Sequence, residues 1–223
     1  MFPIFRLCSA ESIITEIHER EGKHIKYKTI LPLLSLLLLM VGIFSIGNDY
    51  TNYQTEMNAA EGIIREFRET VSIREHDDVE QQEDCNILGI LSIPALNIEG
   101  PVALGTDESV LQHYIALLPE TGEPGEEGNP VFASHSARNN FLCSYCWFQK
   151  IDELKKGDEI RILWRNGQEY VYAVTEVKTW VSEAEVEDLL PVPGKEMITL
   201  QTCTKGQQGV RTYVHAERID LKR

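Results

Sequence analysis

Residues Ile30 to Ile46 are 17 consecutive positions without a charge, and only Pro32, Ser35, Gly42 and Ser45 among them are not strongly apolar. As a helix this run rises roughly 25 Å at about 1.5 Å per residue, near the lower limit for a bilayer core. A cleaved leader is the competing reading, because Ser45-Ile46-Gly47 is a weak small-x-small site. The apolar run is longer than the usual leader core of about 7 to 15 residues, and that length favours a membrane anchor. Lys23, Lys26 and Lys28 precede the run, whereas Asp49 and Glu56 follow it. The positive-inside rule then keeps the N-terminus cytoplasmic and puts the rest of the chain outside the cell. The chain divides into a cytoplasmic segment 1–28, a single-pass anchor 29–46, an extracytoplasmic helix with an acidic linker 47–84, and a domain 85–223.

Beyond the anchor the pattern changes twice. Met57, Ala60, Ile63, Ile64 and Phe67 recur at helical spacing, and Glu61–Arg65 and Arg65–Glu69 are i,i+4 charge pairs, so Tyr53 to Glu69 reads as a helix. Its narrow apolar stripe fits either docking on the following domain or a plain stalk. Arg74 to Asp84 is strongly acidic and nearly free of apolar residues, as expected of a linker. After Cys85 come short apolar runs punctuated by Gly, Pro and Asn: Ile87–Ile93, Val102–Leu104, Val131–Ala133, Glu159–Trp164, Glu169–Val177, Met197–Leu200 and Thr212–Val214. Seven or eight such signals over about 135 residues predict a mainly β domain, a barrel or sandwich. Asn166-Gly167 predicts a type I′ hairpin turn, and short helices are expected over Asp107–Tyr114 and Trp147–Leu154. The formal net charge of −14 argues against nucleic acid and against charge-driven binding to an anionic membrane surface.

The chemistry concentrates near the C-terminus. Thr199-Leu200-Gln201-Thr202-Cys203 ends a strand-like run on a thiol, and eight residues later Arg211 opens another, Arg211–Ala216, across the Gly-containing loop Lys205–Gly209. Paired as a hairpin, the two runs put a thiol and a guanidinium on one cleft. A thiolate attacks carbonyls, and a fixed cation holds the resulting oxyanion or lowers the thiol pKa. A proton partner is available at the end of a third run, Pro130-Val-Phe-Ala-Ser-His135. Taken singly, such a cysteine is more often a small buried hydrophobe, His135 a loop histidine and Arg211 a surface ion-pair partner. Their order and local patterns lift them above that background.

Those patterns resemble the sortase family, the extracytoplasmic cysteine transpeptidases of Gram-positive bacteria. Thr199 to Cys203 matches the family's TLxTC, and Arg211 its following arginine. Pro124-Gly125-Glu-Glu-Gly128-Asn129 through His135 resembles its PGxxGN…GH segment, with Ser134 in place of Gly. Phe148 to Asp158 resembles its FxxLxxLxxGD stretch, with Ile151 in place of the first Leu. The match runs roughly from Ile87 to Leu221. It implies a closed eight-stranded β-barrel with Cys203 as nucleophile, His135 as proton carrier, Arg211 as oxyanion partner, and Thr202 and Leu200 facing the substrate. The implied reaction cleaves an LPxTG-like sorting signal through a thioacyl-enzyme and transfers the surface protein to an amine. That amine is a peptidoglycan precursor or cross-bridge in wall-anchoring members and a pilin lysine in pilus polymerases. The chain ends at Arg223 without the C-terminal membrane segment common in pilus polymerases, which favours an A- or D-like member. The competing readings are a cysteine peptidase releasing the acyl group to water and a tethered peptide-binding barrel with an inert Cys203.

Three further features stand apart from that site. Leu118-Pro119-Glu120-Thr121-Gly122 is a literal LPxTG match, either coincidental loop sequence or a pseudosubstrate for Cys203. Cys143-Ser-Tyr-Cys146 is a single CxxC, half of a structural zinc site, which an oxidising compartment lets close as a disulfide or leaves as free thiols. Glu120, Glu123 and Glu127 precede His135, and Glu187 lies in a second acidic group. Some class A members bind Ca²⁺ between the corresponding loops, and hard carboxylate oxygens suit that ion. The bland reading of these carboxylates is a solvated acidic surface. No cofactor is required by the expected reaction.

Overall fold

A computed structural model of the protein describes residues 10–74, 87–136, 143–185, 187–204 and 209–219. The acidic linker, Cys85 and most of the Lys205–Gly209 loop lie outside the described residues.

The N-terminal region is one helix, α1 (Ala10–Arg74). The expectation of an anchor helix followed by a separate helix is corrected: Gly47-Asn48-Asp49 does not interrupt the helical backbone. A lone glycine costs a helix only about 1 kcal/mol, too little to stop one flanked by strong helical stretches. The chain falls into two compact units, Met1–Thr51 and Asn52–Arg223. In the first unit the side chains from Ile30 to Ile46 stand outward on every face, Phe44 being 78% exposed. A helix apolar all round and unburied is suited to lipid rather than water. By length and composition it is able to cross a membrane, with mean hydropathy 2.5 over its most apolar 18-residue window.

In the second unit, the part of α1 after Thr51 docks on the β domain. Ala60, Ile64 and Val71 are buried and Met57 packs on the core, so the spacing read from sequence is a docking stripe and not a bare stalk. Arg68 pairs with Glu99, and Ser144 donates to Glu56.

The β domain is a closed barrel of eight strands: β1 (Ile87–Ile93), β2 (Ile98–Leu104), β3 (Ile115–Leu117), β4 (Val131–Ala133), β5 (Glu159–Trp164), β6 (Glu169–Ser182), β7 (Met197–Cys203) and β8 (Val210–Arg218). The order around the barrel is β1-β2-β3-β4-β7-β8-β6-β5. The pairs β2/β3 and β4/β7 are parallel and the others antiparallel. Closure removes every sheet edge and gives alternate residues to the interior. Leu91, Phe132, Ile162, Tyr172, Ile198, Leu200 and Val214 fill it. The expected helices are shorter than read: α2 (Glu108–Leu111) and a single 3-10 turn over Ile151–Glu153.

The β5–β6 hairpin forms where Asn166-Gly167 predicts, but not as a type I′ turn. Of the two residues only Gly167 has positive φ, +84°. Its N–H donates to the Trp164 carbonyl at 2.9 Å, and Asn166 Oδ1 accepts from the Gln168 N–H at 3.0 Å. A four-residue connection is most often built around a type I turn, so the longer loop displaces the two-residue form.

Candidate active site

β7 and β8 pair with Cys203 opposite Arg211, so the two side chains leave the same face of neighbouring strands. On β4, Ala133 is in register with Gln201 of β7, and the Ser134 N–H donates to the Gln201 carbonyl at 3.3 Å. Continuing that parallel register by two residues sets His135 level with Cys203. Strand neighbours lie about 4.8 Å apart, so three adjacent strands bring the thiol, the imidazole and the guanidinium to one end of the barrel.

Alternation along β7 decides which residues face the site. Ile198 and Leu200 belong to the interior core, so Thr199, Gln201 and Cys203 face outward. Leu200 is fully buried, which corrects its assignment to the substrate. Thr202 is also turned inward, at the barrel's end, where its Oγ1 donates to the Ser134 carbonyl at 2.7 Å. That bond couples the residue before Cys203 to the residue before His135. Thr202 nevertheless borders a cavity of about 110 Å³ that also includes Cys203, Ser136, Phe148, Trp180 and Thr212. Trp180 reaches this cavity from an irregularity in β6 between Lys178 and Val181, where it holds φ +66° and stays 64% exposed. A β-bulge re-aims a side chain in this way.

Cys203 is the one free cysteine among the described residues. Arg211 Nη2 lies 2.7 Å from Glu183 Oε2, and His135 Nε2 lies 3.8 Å from Glu108 Oε1. The His135 ring meets the Tyr145 ring edge-on, with centroids 5.8 Å apart. Cys143 and Cys146 form a disulfide, which resolves the two alternatives for the CxxC.

Beneath the outer face of β7 lies a polar network that the sequence did not announce. Thr199 Oγ1 donates to Asn129 Oδ1 at 2.8 Å and is 3.0 Å from His215 Nδ1. His215 Nε2 is 3.2 Å from Asp188 Oδ1, and Lys178 Nζ reaches the same oxygen. Burial alone would raise the Asp188 carboxyl, but the hydrogen bond and charge of Lys178, then those of His215, outweigh it and hold it below its usual range. Asp188 sits in the 3-10 turn Glu187–Leu189, so the network ties the β6–β7 connection to the barrel. One signal was available: His215 shares the outward face of β8 with Arg211, four residues earlier.

The four carboxylates expected around Ca²⁺ do not converge. Glu123 accepts from Trp164 Nε1 at 2.9 Å and from Arg165, and Glu127 accepts from the Gly194 N–H at 2.6 Å. Among the described residues no three His, Cys, Asp or Glu side chains group closely enough to hold a metal ion. The geometry thus corrects the set Glu120, Glu123, Glu127 and Glu187: two of its members serve as loop fasteners.

The LPxTG match is likewise part of the scaffold. Thr121 Oγ1 donates to the Leu118 carbonyl at 2.8 Å and accepts from the Val131 N–H at 3.1 Å. Val131 is in register with Thr199, four residues from Cys203, or about 13 Å along the strand. Leu118–Gly122 therefore closes the turn at the start of β4, the end away from His135.

The closed eight-stranded barrel thus sets a thiol, an imidazole and a guanidinium at the ends of three adjacent strands. The Sortase domain profile matches residues 91–219, more than half of the chain, and the chain belongs to the sortase family. It is 30% identical over 131 residues to Sortase A of Streptococcus agalactiae serotype III (strain NEM316), covering 59% of this chain and 52% of that protein. It is 29% identical over 136 residues to Sortase D of Bacillus subtilis (strain 168), covering 59% and 63%. The structure of sortase C from Streptococcus pneumoniae superposes with TM-score 0.60 at 25% identity, covering 72% of this chain and 97% of that one. The chain spans between half and two thirds of the length of the two sequence relatives it matches.

Proposed function

We propose that this chain is a membrane-anchored cysteine transpeptidase that cleaves an LPxTG-like sorting signal and passes the surface protein to a cell-wall amine. The observation that supports the reading is that Cys203 pairs opposite Arg211 across β7 and β8 while His135 follows the neighbouring β4, in a member of the sortase family. Cys203 Sγ, as thiolate, attacks the threonine carbonyl carbon, and the oxyanion that forms takes a hydrogen bond from Arg211. His135 protonates the departing glycine amine as the peptide bond breaks, leaving the threonine acyl group as a thioester on Cys203. It then takes a proton from the incoming amine, whose nitrogen forms the new amide as the C–S bond breaks and Cys203 leaves as the thiolate. Water competes at the second step, giving hydrolysis. Thr202 borders the groove through its place beside the cavity.

Placement outside the cell follows from the basic flank before Ile30 and the acidic residues after Ile46. The amine belongs to a peptidoglycan precursor or cross-bridge, in line with the similarity to Sortase A and Sortase D proteins. The full chain in lipid vesicles is offered a panel of Leu-Pro-x-Thr-Gly peptides with oligoglycine, diaminopimelate-containing peptide or a pilin-type lysine peptide, and products are weighed by mass spectrometry. An amide to one of the first two amines, absent in Cys203→Ala, is expected. Transfer to lysine alone would reassign the chain to pilus assembly. Hydrolysis with every amine would make it a peptidase, and turnover by Cys203→Ala would remove the mechanism.

A further inference from the structure

The Cys143–Cys146 disulfide closes a short ring of backbone around Ser144 and Tyr145, and both outward connections of Tyr145 lead to the candidate active site. Its ring packs edge-on against His135 with centroids 5.8 Å apart and planes at 77°. Its carbonyl accepts from Ser134 Oγ at 3.2 Å. Ser134 is buried, and its own carbonyl accepts from Thr202 Oγ1 at 2.7 Å. The Ser134 hydroxyl thus links the residue before the histidine to the disulfide ring. Beyond the ring, Cys146, Trp147 and Phe148 are buried, which fixes its far side to the barrel.

We propose that Tyr145, clamped by the Cys143–Cys146 disulfide, is a positioning residue that holds the His135 imidazole in line with Cys203, and that opening the disulfide lowers the rate of acyl transfer. An imidazole at a strand end has two soft side-chain torsions, and the strand fixes only its Cα. An edge-on aromatic neighbour restricts the ring plane, provided that the neighbour is itself held. Tyr145 sits outside the regular strands, in a segment held by a four-residue covalent loop and by hydrogen bonds from Ser134 to the Tyr145 carbonyl and from Ser144 to Glu56. A displacement of about 1 Å in a catalytic group costs up to roughly a hundredfold in rate, so a clamp at this distance acts on kcat. Substrate binding depends on other residues, so KM is spared.

This inference rests on His135 being the proton carrier. The test uses the full chain in vesicles with the Leu-Pro-x-Thr-Gly peptide it turns over best. Tyr145→Ala is expected to lower kcat roughly tenfold or more with KM for the peptide little changed, and Tyr145→Phe, which keeps the ring, to restore most of the rate. A phosphine reductant opens the disulfide to two thiols as the phosphine takes oxygen from water, and the same loss of kcat is expected. Cys143→Ala/Cys146→Ala should show that loss beforehand, respond no further to the phosphine, and combine with Tyr145→Ala without a second full loss. If His135→Ala is inactive while Tyr145→Ala and the reduced chain keep full kcat, the clamp is refuted and the transpeptidase reading stands. If His135→Ala is active, or if no peptide is turned over, both readings fall. A loss in Tyr145→Ala that Phe does not repair also overturns the positioning role, because the hydroxyl and not the ring would then be at work.

Discussion

Thr199→Val is nearly isosteric and removes one oxygen from the most buried polar network of the barrel. Thr199 is fully buried, Asn129 is 2% exposed and His215 7% exposed, so no water reaches the groups that lose their partner. Thr199 Oγ1 donates to Asn129 Oδ1 and faces His215 Nδ1, at 2.8 and 3.0 Å. Each buried polar group left without a partner costs about 1–3 kcal/mol. Two such groups, less about 1 kcal/mol for the added apolar contact, give a loss of about 1–5 kcal/mol. For a domain of this size each kcal/mol lowers Tm by about 2–4 °C, so thermal unfolding of the full chain in detergent should shift down by about 2–20 °C. Thr199→Ser keeps the oxygen and loses only a methyl group, and should cost about 1 kcal/mol. A fall of less than about 2 °C in the valine variant, or equal falls in both, would show that the hydroxyl does not sustain the network.

Asp188 gives a pH signature. Its carboxyl is held below its ordinary value, so its contribution to stability is complete above the unfolded carboxylate pKa of about 3.9 and is lost as pH falls through the folded value. Asp188→Asn should therefore destabilise by about 1–3 kcal/mol at neutral pH and converge with the unaltered chain at low pH, as urea titrations at several pH values would reveal; a constant difference would contradict this. Leu200→Ala should cost about 2–5 kcal/mol of stability and leave KM for the peptide substrate unchanged in a steady-state assay, whereas a raised KM would return Leu200 to the groove. Gly125→Ala places a Cβ against the Tyr170 ring at φ +94°, and should lower Tm clearly in the same thermal assay. Arg211→Ala should lower kcat by about a hundredfold or more, while Glu183→Gln, at a half-exposed partner, should change stability by less than about 1 kcal/mol; the reverse order would assign the ion pair a structural role.

The barrel and the pairing of Cys203 with Arg211 were legible because they depend on local pattern. Short apolar runs mark strands, and a thiol and an arginine flanking one glycine-containing loop pair across a hairpin wherever the hairpin sits. The apolar helix was legible from composition alone, but its continuation through Gly47-Asn48-Asp49 was not, since nothing in those residues states which of two weak tendencies wins. Tyr145, Ser134 and the Asp188–His215 pair were hidden for a different reason. Each acts through a residue that lies far off in the chain, and loop closure, not periodicity, brings them together. The same cause defeated the carboxylate grouping: Glu123 and Glu127 look free in sequence, and only the folded loops present Trp164, Arg165 and Gly194 to them.

The TLQTC segment shows how one short pattern divides under the barrel's alternation. Thr199 faces outward yet is sealed beneath the Glu187–Leu189 turn, Leu200 fills the interior, Thr202 fastens β7 to the histidine strand while bordering the cavity, and Cys203 stands free at the strand's end. Three of its four named positions are thus consumed in fixing where the fourth stands. Under the proposed function, selectivity for a sorting signal then cannot reside in β7 alone. It must come from what surrounds the thiol, namely the bulged Trp180, the β6–β7 connection held by Asp188, and the disulfide loop behind His135. All three are irregular segments fixed to the barrel by a few specific bonds. Substrate preference is therefore free to change among relatives that keep the barrel, and in this chain it should move with Trp180 before it moves with any residue of the motif.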